Sequence, residues 1–186
     1  AFQVDTIAPS IERAEPLPPV LTRIAALSFG GTLSEPAELT LNGAPVAISE
    51  ALAWNVSVTL VEGTNTFDLV ARDCPLNAGH LTFVVVLDST PPDPPDGLIL
   101  VSESIAGLVA IRGEPGSGEP GSTVTAVNQR TGDSQQAIVR ADGSFDFPDF
   151  PAETGDPIGL FQTDSAGNIG ASTSTTVPGT PGGGLP

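Results

Sequence analysis

Between Leu52 and Leu60 the chain alternates without a break. Leu52, Trp54, Val56, Val58 and Leu60 share one face, and Ala53, Asn55, Ser57 and Thr59 share the other. A period of two marks a strand with one face buried. Phe67, Leu69 and Ala71 repeat the pattern within Thr66 to Arg72, and Leu81 to Leu87 is apolar enough to lie central in a sheet. Thr22 to Phe29 and Glu38 to Leu41 read as earlier strands. Asn42-Gly43 turns the second of these into Pro45 to Ser49, because Asn-Gly supplies the positive φ of a tight hairpin. Glu12 to Pro19, with three prolines, reads as an extended lead-in on a sheet edge.

The second half repeats the plan with weaker apolarity. Its strands are expected at Leu98 to Ser102, Leu108 to Arg112, Thr123 to Gln129, Gln136 to Arg140, Ser144 to Phe147, Pro157 to Thr163 and Ala171 to Val177. Thr131-Gly132-Asp133 and Asp142-Gly143 supply turn chemistry between them. No window keeps a helical period for two turns without a proline or glycine, so the chain reads as all-β. Leu87 to Gly97 lies between the halves and holds four prolines. Prolines remove backbone donors and fix φ, so this run reads as a hinge. The expected division is residues 1–90, with the lead-in, as a first domain, 91–178 as a second, and 179–186 as a Gly/Pro linker tail.

The halves are copies of one unit. Asp5-Thr6-Ile7-Ala8-Pro9 matches Asp88-Ser89-Thr90-Pro91-Pro92, and the next matching glycine lies equally far on: 30 − 5 = 25 for Gly30 and 113 − 88 = 25 for Gly113. Ser34-Glu35-Pro36-Ala37-Glu38 matches Gly118-Glu119-Pro120-Gly121-Ser122, and Leu69 to Asp73 matches Leu160 to Asp164. Three matches in the same order, with about seven short strands each, indicate two tandem sandwiches.

Several phrases give the resemblance its specificity. Asp88-Ser89-Thr90-Pro91-Pro92, Gly116 to Val124, Ala141-Asp142-Gly143-Ser144-Phe145 and Thr163-Asp164-Ser165-Ala166-Gly167-Asn168 resemble the bacterial immunoglobulin-like repeats of surface adhesins and multidomain secreted enzymes. In the first half, Leu41-Asn42-Gly43 and Val61-Glu62-Gly63-Thr64-Asn65 are similar to the immunoglobulin-like domain attached to some secreted glucan-degrading enzymes. The resemblance implies two tandem immunoglobulin-like antiparallel β-sandwiches in an exported bacterial protein, extracellular or on the cell surface. Its expected function is a non-catalytic spacer or stalk segment whose partners are neighbouring domains of the same chain. The alternatives are a carbohydrate- or protein-binding module, or the accessory domain of a secreted hydrolase. The last turn of the first half departs from the pattern: Asp73-Cys74-Pro75-Leu76-Asn77-Ala78-Gly79-His80 reads as two residues longer than the usual Asp-x-Ala-Gly-Asn, which puts the turn's function there in doubt.

Charge narrows the partners. The 22 acidic residues face 6 arginines and no lysine, a formal net charge of −16. Such a surface repels nucleic acid and anionic membranes and favours divalent cations or basic surfaces. No apolar run is long enough to span a bilayer, and without an initiator methionine or signal peptide the chain reads as a segment of a longer protein.

The candidate chemistry is sparse. His80 and Cys74 are the single histidine and cysteine. Nucleophilic catalysis needs an orienting third group, and zinc needs about four ligands, of which Asp73, Cys74 and His80 give at most three. A part-buried cysteine and a loop histidine explain that pair. Trp54 falls on an apolar stripe and reads as core, leaving a sugar-binding reading without its platform. Asn55-Val56-Ser57, a glycosylation sequon, falls in mid-strand and reads as a chance match.

Calcium suits the acids. In an immunoglobulin-like sandwich the chain enters at the end carrying the loops between the second and third strands and between the last two. That would gather Asp88, Asp93, Asp96, Glu119, Asp164 and Asn168 in the second unit, with Asp5, Glu35 and Asp73 as first-unit counterparts. Calcium takes six to eight oxygen ligands, as such a cluster could offer. Related adhesin repeats use calcium at their junctions, which the resemblance implies here. The plain alternative is that these acids cap turns.

Overall fold

The computed structural model describes residues 5–15, 17–74 and 76–179, which form fifteen strands and no helix. They divide into two units, Ala1–Ser89 and Thr90–Pro186. The expected linker tail, apart from Gly179, lies outside the described residues.

The first unit holds β1 (Ile11–Arg13), β2 (Leu21–Thr22), β3 (Ala26–Leu33), β4 (Glu38–Leu41), β5 (Ala44–Val46), β6 (Ala53–Thr59), β7 (Gly63–Arg72) and β8 (Ala78–Leu87). One sheet has the order β1-β3-β6, the other β2-β8-β7-β4-β5. All pairings are antiparallel except β2 with β8. The lead-in forms a short edge strand, β1, with Ile11 opposite Leu33. The stretch Thr22 to Phe29 is not one strand: the Thr22 hydroxyl accepts the Ile24 N–H at 3.1 Å, and the chain crosses there from one sheet to the other.

The inward stripe read from the sequence is the core. Phe29, Trp54, Leu60, Phe67, Leu69, Ala71, Val85 and Leu87 are buried. Phe29 meets Trp54, Phe67 and Phe83 edge-on, with ring centroids 6.2, 5.3 and 5.0 Å away. These approaches are in the favourable range for aromatic pairs. Arg13 closes the side of this cluster, its guanidinium 4.5 Å from the Phe83 ring centre.

The second unit holds β9 (Ile99–Val101), β10 (Leu108–Gly113), β11 (Thr123–Asn128), β12 (Ser134–Ile138), β13 (Phe145–Pro151), β14 (Pro157–Thr163) and β15 (Thr173–Thr176). Its sheets are β13-β10-β9 and β12-β11-β14-β15. β13 runs past the Phe147 expected as its end, through a bulge. Val109 pairs with Phe150 but Ile111 with Phe147, so β13 carries one extra residue. The extra residue flips the alternation, and Phe145, Phe147 and Phe150 all reach the core despite their uneven spacing.

One end of this unit is fastened by a charged side chain. Asp156, 3% exposed, accepts from the guanidinium of Arg130 through both oxygens, from Asn128 Nδ2 at 2.8 Å and from the Glu153 N–H at 2.9 Å. Asn128, fully buried, also donates to Pro151 C=O at 3.2 Å and accepts the Arg130 N–H at 3.0 Å. The hydrogen bonds from Arg130 and the Glu153 N–H favour the charged carboxylate and outweigh burial, holding Asp156 below the ordinary aspartate value of 3.8. A depressed carboxylate stabilises the fold above its ordinary value, and that contribution fades as pH falls through the lower folded value. The Asp156 contribution should therefore persist through mild acid and begin to fade only below about pH 4. Calorimetry of the chain should show Asp156→Asn lowering the melting temperature at pH 7 and flattening its acid dependence. A variant as stable as the parent at neutral pH would refute this account of the fastening.

Candidate functional site

The turn from β7 to β8 is built by a buried carboxylate. Asp73, 6% exposed, accepts the Asn77 N–H on Oδ1 at 2.7 Å and the Asn77 side-chain amide on Oδ2 at 2.8 Å. The turn from β14 to β15 is made the same way: Asp164 accepts the Asn168 N–H and side-chain amide, each at 2.8 Å. The backbone bonds match too, Leu76 N–H to Asp73 C=O at 3.1 Å and Gly167 N–H to Asp164 C=O at 3.2 Å. The first-unit turn is therefore not two residues longer. Asp73-Cys74-Pro75-Leu76-Asn77 is the counterpart of Asp164-Ser165-Ala166-Gly167-Asn168. The sequence misleads because the turn needs a left-handed fourth residue, and that place holds Leu76 (φ 72°) where the other unit has Gly167 (φ 88°).

Two residues past each asparagine, a glycine seats the entering chain. A Cβ on Gly79 would lie 1.8 Å from Pro9 O, and one on Gly170 would lie 2.3 Å from Pro92 O. Pro9 and Pro92 are buried, so the closing proline of each Asp-to-Pro phrase is packed into its own unit. Asn77 Nδ2 also reaches Asp5 O at 3.2 Å, and Ser10 exchanges bonds with Ser34, donating to its Oγ at 2.9 Å and accepting its N–H at 3.1 Å.

This convergence brings Asp5, Glu35 and Asp73 together, with one carboxylate oxygen of each within 4.8 Å of the others. Among the described residues it is the one such trio. Asp5 is exposed, Glu35 half-buried and Asp73 buried, and among the described residues no arginine forms an ion pair with any of them. Beside the trio, Pro36, Ala37, Glu38, Arg72, Asp73, Cys74 and Leu76 line a depression of about 440 Å³. Cys74 is exposed rather than part-buried, and His80 is exposed as well.

The second unit arranges the same end differently. Asp93, Asp96 and Glu119 have exposed side chains, and Asp88 closes the first unit with its N–H bonded to Thr22 O at 2.9 Å. Gln162 ties the loops instead. Its Oε1 accepts the Glu119 N–H and the Ser122 hydroxyl, each at 2.7 Å, and its Nε2 donates to Asp93 O at 2.8 Å. The corresponding first-unit residue is Ala71, which offers no such crosslink.

The two buried aspartates differ in the residue two places on. Burial pushes the Asp164 carboxyl up, but the Asn168 side chain and the backbone N–H groups of Asn168, Ala166 and Gly167 pull it below its ordinary value. At Asp73 the residue corresponding to Ala166 is Pro75, which has no N–H to give. Asp73, Asp5 and Glu35 together fit the oxygen preference of a hard divalent cation.

Holding Leu76 in the left-handed region costs about 1–2 kcal/mol relative to glycine. Leu76→Gly should therefore raise the melting temperature of the first unit by about 4–16 °C. A variant that melts at or below the parent temperature would show that Leu76 relieves its strain through contacts that glycine loses.

Residues 113–179 match a family model described as a bacterial Ig domain. No curated protein matches the chain. Among solved structures, titin domains share 14% identity over 93% of this chain and 67% of that one, with a TM-score of 0.59. Fibronectin(III)-like modules of Clostridium thermocellum CbhA share 11% over 90% and 94%, with a TM-score of 0.50. A 1.5-MDa bacterial ice-binding adhesin shares 21% over 92% of this chain and 64% of that one, with a TM-score of 0.45. Both units are thus immunoglobulin-like β-sandwiches, and the second resembles the bacterial Ig domain family over residues 113–179.

Proposed function

We propose that the chain is a non-catalytic spacer of an exported bacterial surface or secreted protein, and that calcium fastens the entry end of its first unit. The observation that carries the spacer reading is the duplicated seat of the entering chain, Pro9 against Gly79 and Pro92 against Gly170. Only Asp88, Ser89, Thr90 and Pro91 separate the end of β8 from the seated Pro92. A joint of four residues containing a proline restricts bending, as a spacer requires. Among the described residues no aromatic side chain is exposed, which leaves a polysaccharide without a stacking platform.

Calcium rests on the trio. Three carboxylates held together with no arginine paired to them repel one another, and a bound divalent cation reverses that repulsion. Asp5 comes from the entry segment, Glu35 from the loop after β3 and Asp73 from the turn after β7, so one ion would join three parts of the chain. For a site in the millimolar range usual for extracellular modules, calcium at about ten times the dissociation constant stabilises by about 1.4 kcal/mol. Calcium at about 10 mM should raise the first-unit melting temperature by about 5 °C over chelator-treated protein. Glu35→Gln should abolish the rise without altering the chelated baseline downward. An unchanged melting temperature would exclude structural calcium and leave the spacer reading standing.

A further inference from the structure

Strand β6 ends its sheet, and part of its edge is uncovered. In its register with β3, Trp54, Val56 and Val58 stand opposite Gly31, Phe29 and Leu27. The flanking bonds, Leu33 N–H to Leu52 C=O at 2.9 Å and Leu60 N–H to Ala25 C=O at 2.8 Å, fix which residues bond toward β3. They are the even-numbered ones. Antiparallel ladders alternate, so the backbone groups of Ala53, Asn55, Ser57 and Thr59 point away from β3. The preceding segment takes up the start of this edge. Ser49 N–H donates to Ala53 C=O at 2.8 Å, Ser49 Oγ accepts the Ala53 N–H at 3.1 Å, and Ile48 bridges Trp54. Beyond that point, among the described residues, no strand pairs with Ser57 or Thr59 on this side.

The core is open at the same place. Trp54 and Leu60 are each 4% exposed, whereas Val56 and Val58 between them are only half-buried. An unpaired ladder beside half-covered valines has the form of a strand-addition site: backbone groups give affinity and alternate apolar side chains give specificity. Charge selects the occupant. Residues 51–61 carry none, Glu50 and Glu62 bracket them, and residues 1–89 hold ten acidic side chains against three arginines. A second copy brings the same net charge of −16 and is repelled, whereas a basic segment is attracted.

We propose that the edge of β6 from Val56 to Thr59 takes up an extended segment of another protein as an added strand, apolar at the alternate positions that meet Val56 and Val58 and basic at its ends. The test uses the whole chain, isotope-labelled for NMR, and two synthetic probes. Both have a core of alternating threonine and valine; one is flanked by arginines and the other by glutamates. The arginine-flanked probe should shift the amides of Ser57 and Thr59 most, and the glutamate-flanked one should bind at least about tenfold more weakly. Ser57→Pro removes an outward N–H without touching the ladder to β3, and should weaken binding by about tenfold or more. Ser57→Ala, which keeps the backbone donor, should bind like the parent. The shift map on the unaltered chain stands even if the proline variant fails to fold. Absence of binding, shifts centred elsewhere, equal binding of both probes, or full binding by a folded Ser57→Pro chain would each overturn the proposal. So would self-association of the chain alone through these amides, which would make the occupant a second copy.

Discussion

The Asp-x-x-x-Asn clasp is the constraint on which the entry end of each unit depends. A buried carboxylate is costly unless hydrogen-bonded, and Asp73 and Asp164 each draw both the N–H and the side-chain amide of the asparagine four residues on. That pairing closes the turn in one geometry, and the geometry fixes the glycine two residues later. Gly79 and Gly170 can then accept the carbonyls of Pro9 and Pro92 at a distance no side chain would allow. The turn between the last two strands and the entry phrase are therefore a single folded feature, although nearly seventy residues separate them (about 68 from Asp5 to Asp73). What looks along the sequence like a hinge rich in proline is, from Pro92 onward, part of the second sandwich.

With this feature in common, the units diverge in how they tie the surrounding loops. The second unit uses a neutral amide: Gln162 joins the entry segment to the loop after β10 by three bonds. The first unit has Ala71 there and gathers carboxylates instead. The strands at entry differ as well. The twelve residues from Ala14 to Ala25 carry the first unit's chain from one sheet to the other, where β2 covers the edge of β8. In the second unit only Ser102 to Gly107 follow β9, too few for that crossing, and the chain turns directly into β10.

Much of this was legible because the dominant signals are local. A period-two stripe needs no partner to be recognised, and Trp54, Phe67, Leu69 and Ala71 were placed in the core by spacing alone. The repeated phrases gave the duplication, and with it the correspondence of Asp5, Glu35 and Asp73 to acids of the second unit. Three things stayed hidden, each for a tertiary reason. The bulge in β13 shows only when Phe150 is set against Val109, across the sheet. The sheet crossing after Thr22 is decided by which neighbour each strand meets, not by local propensity. The first-unit turn was misread because Leu76 occupies a position where glycine is expected, and the fold holds it there against its preference.

The misread turn also explains why equivalent acids behave differently. A carboxylate has about four acceptor sites, and what it can do for a ligand depends on how many the protein already fills. At Asp164 burial is outweighed by the Asn168 side chain and the backbone N–H groups of its own loop, which hold the carboxyl below its ordinary value. Pro75, which has no N–H, stands in the sequence where the second unit has Ala166, and Leu76 sustains the turn geometry without glycine. The first unit places its turn aspartate beside two more carboxylates, those of Asp5 and Glu35. The same Asp-x-x-x-Asn turn thus stands among carboxylates in the first unit and beside the Gln162 crosslink in the second.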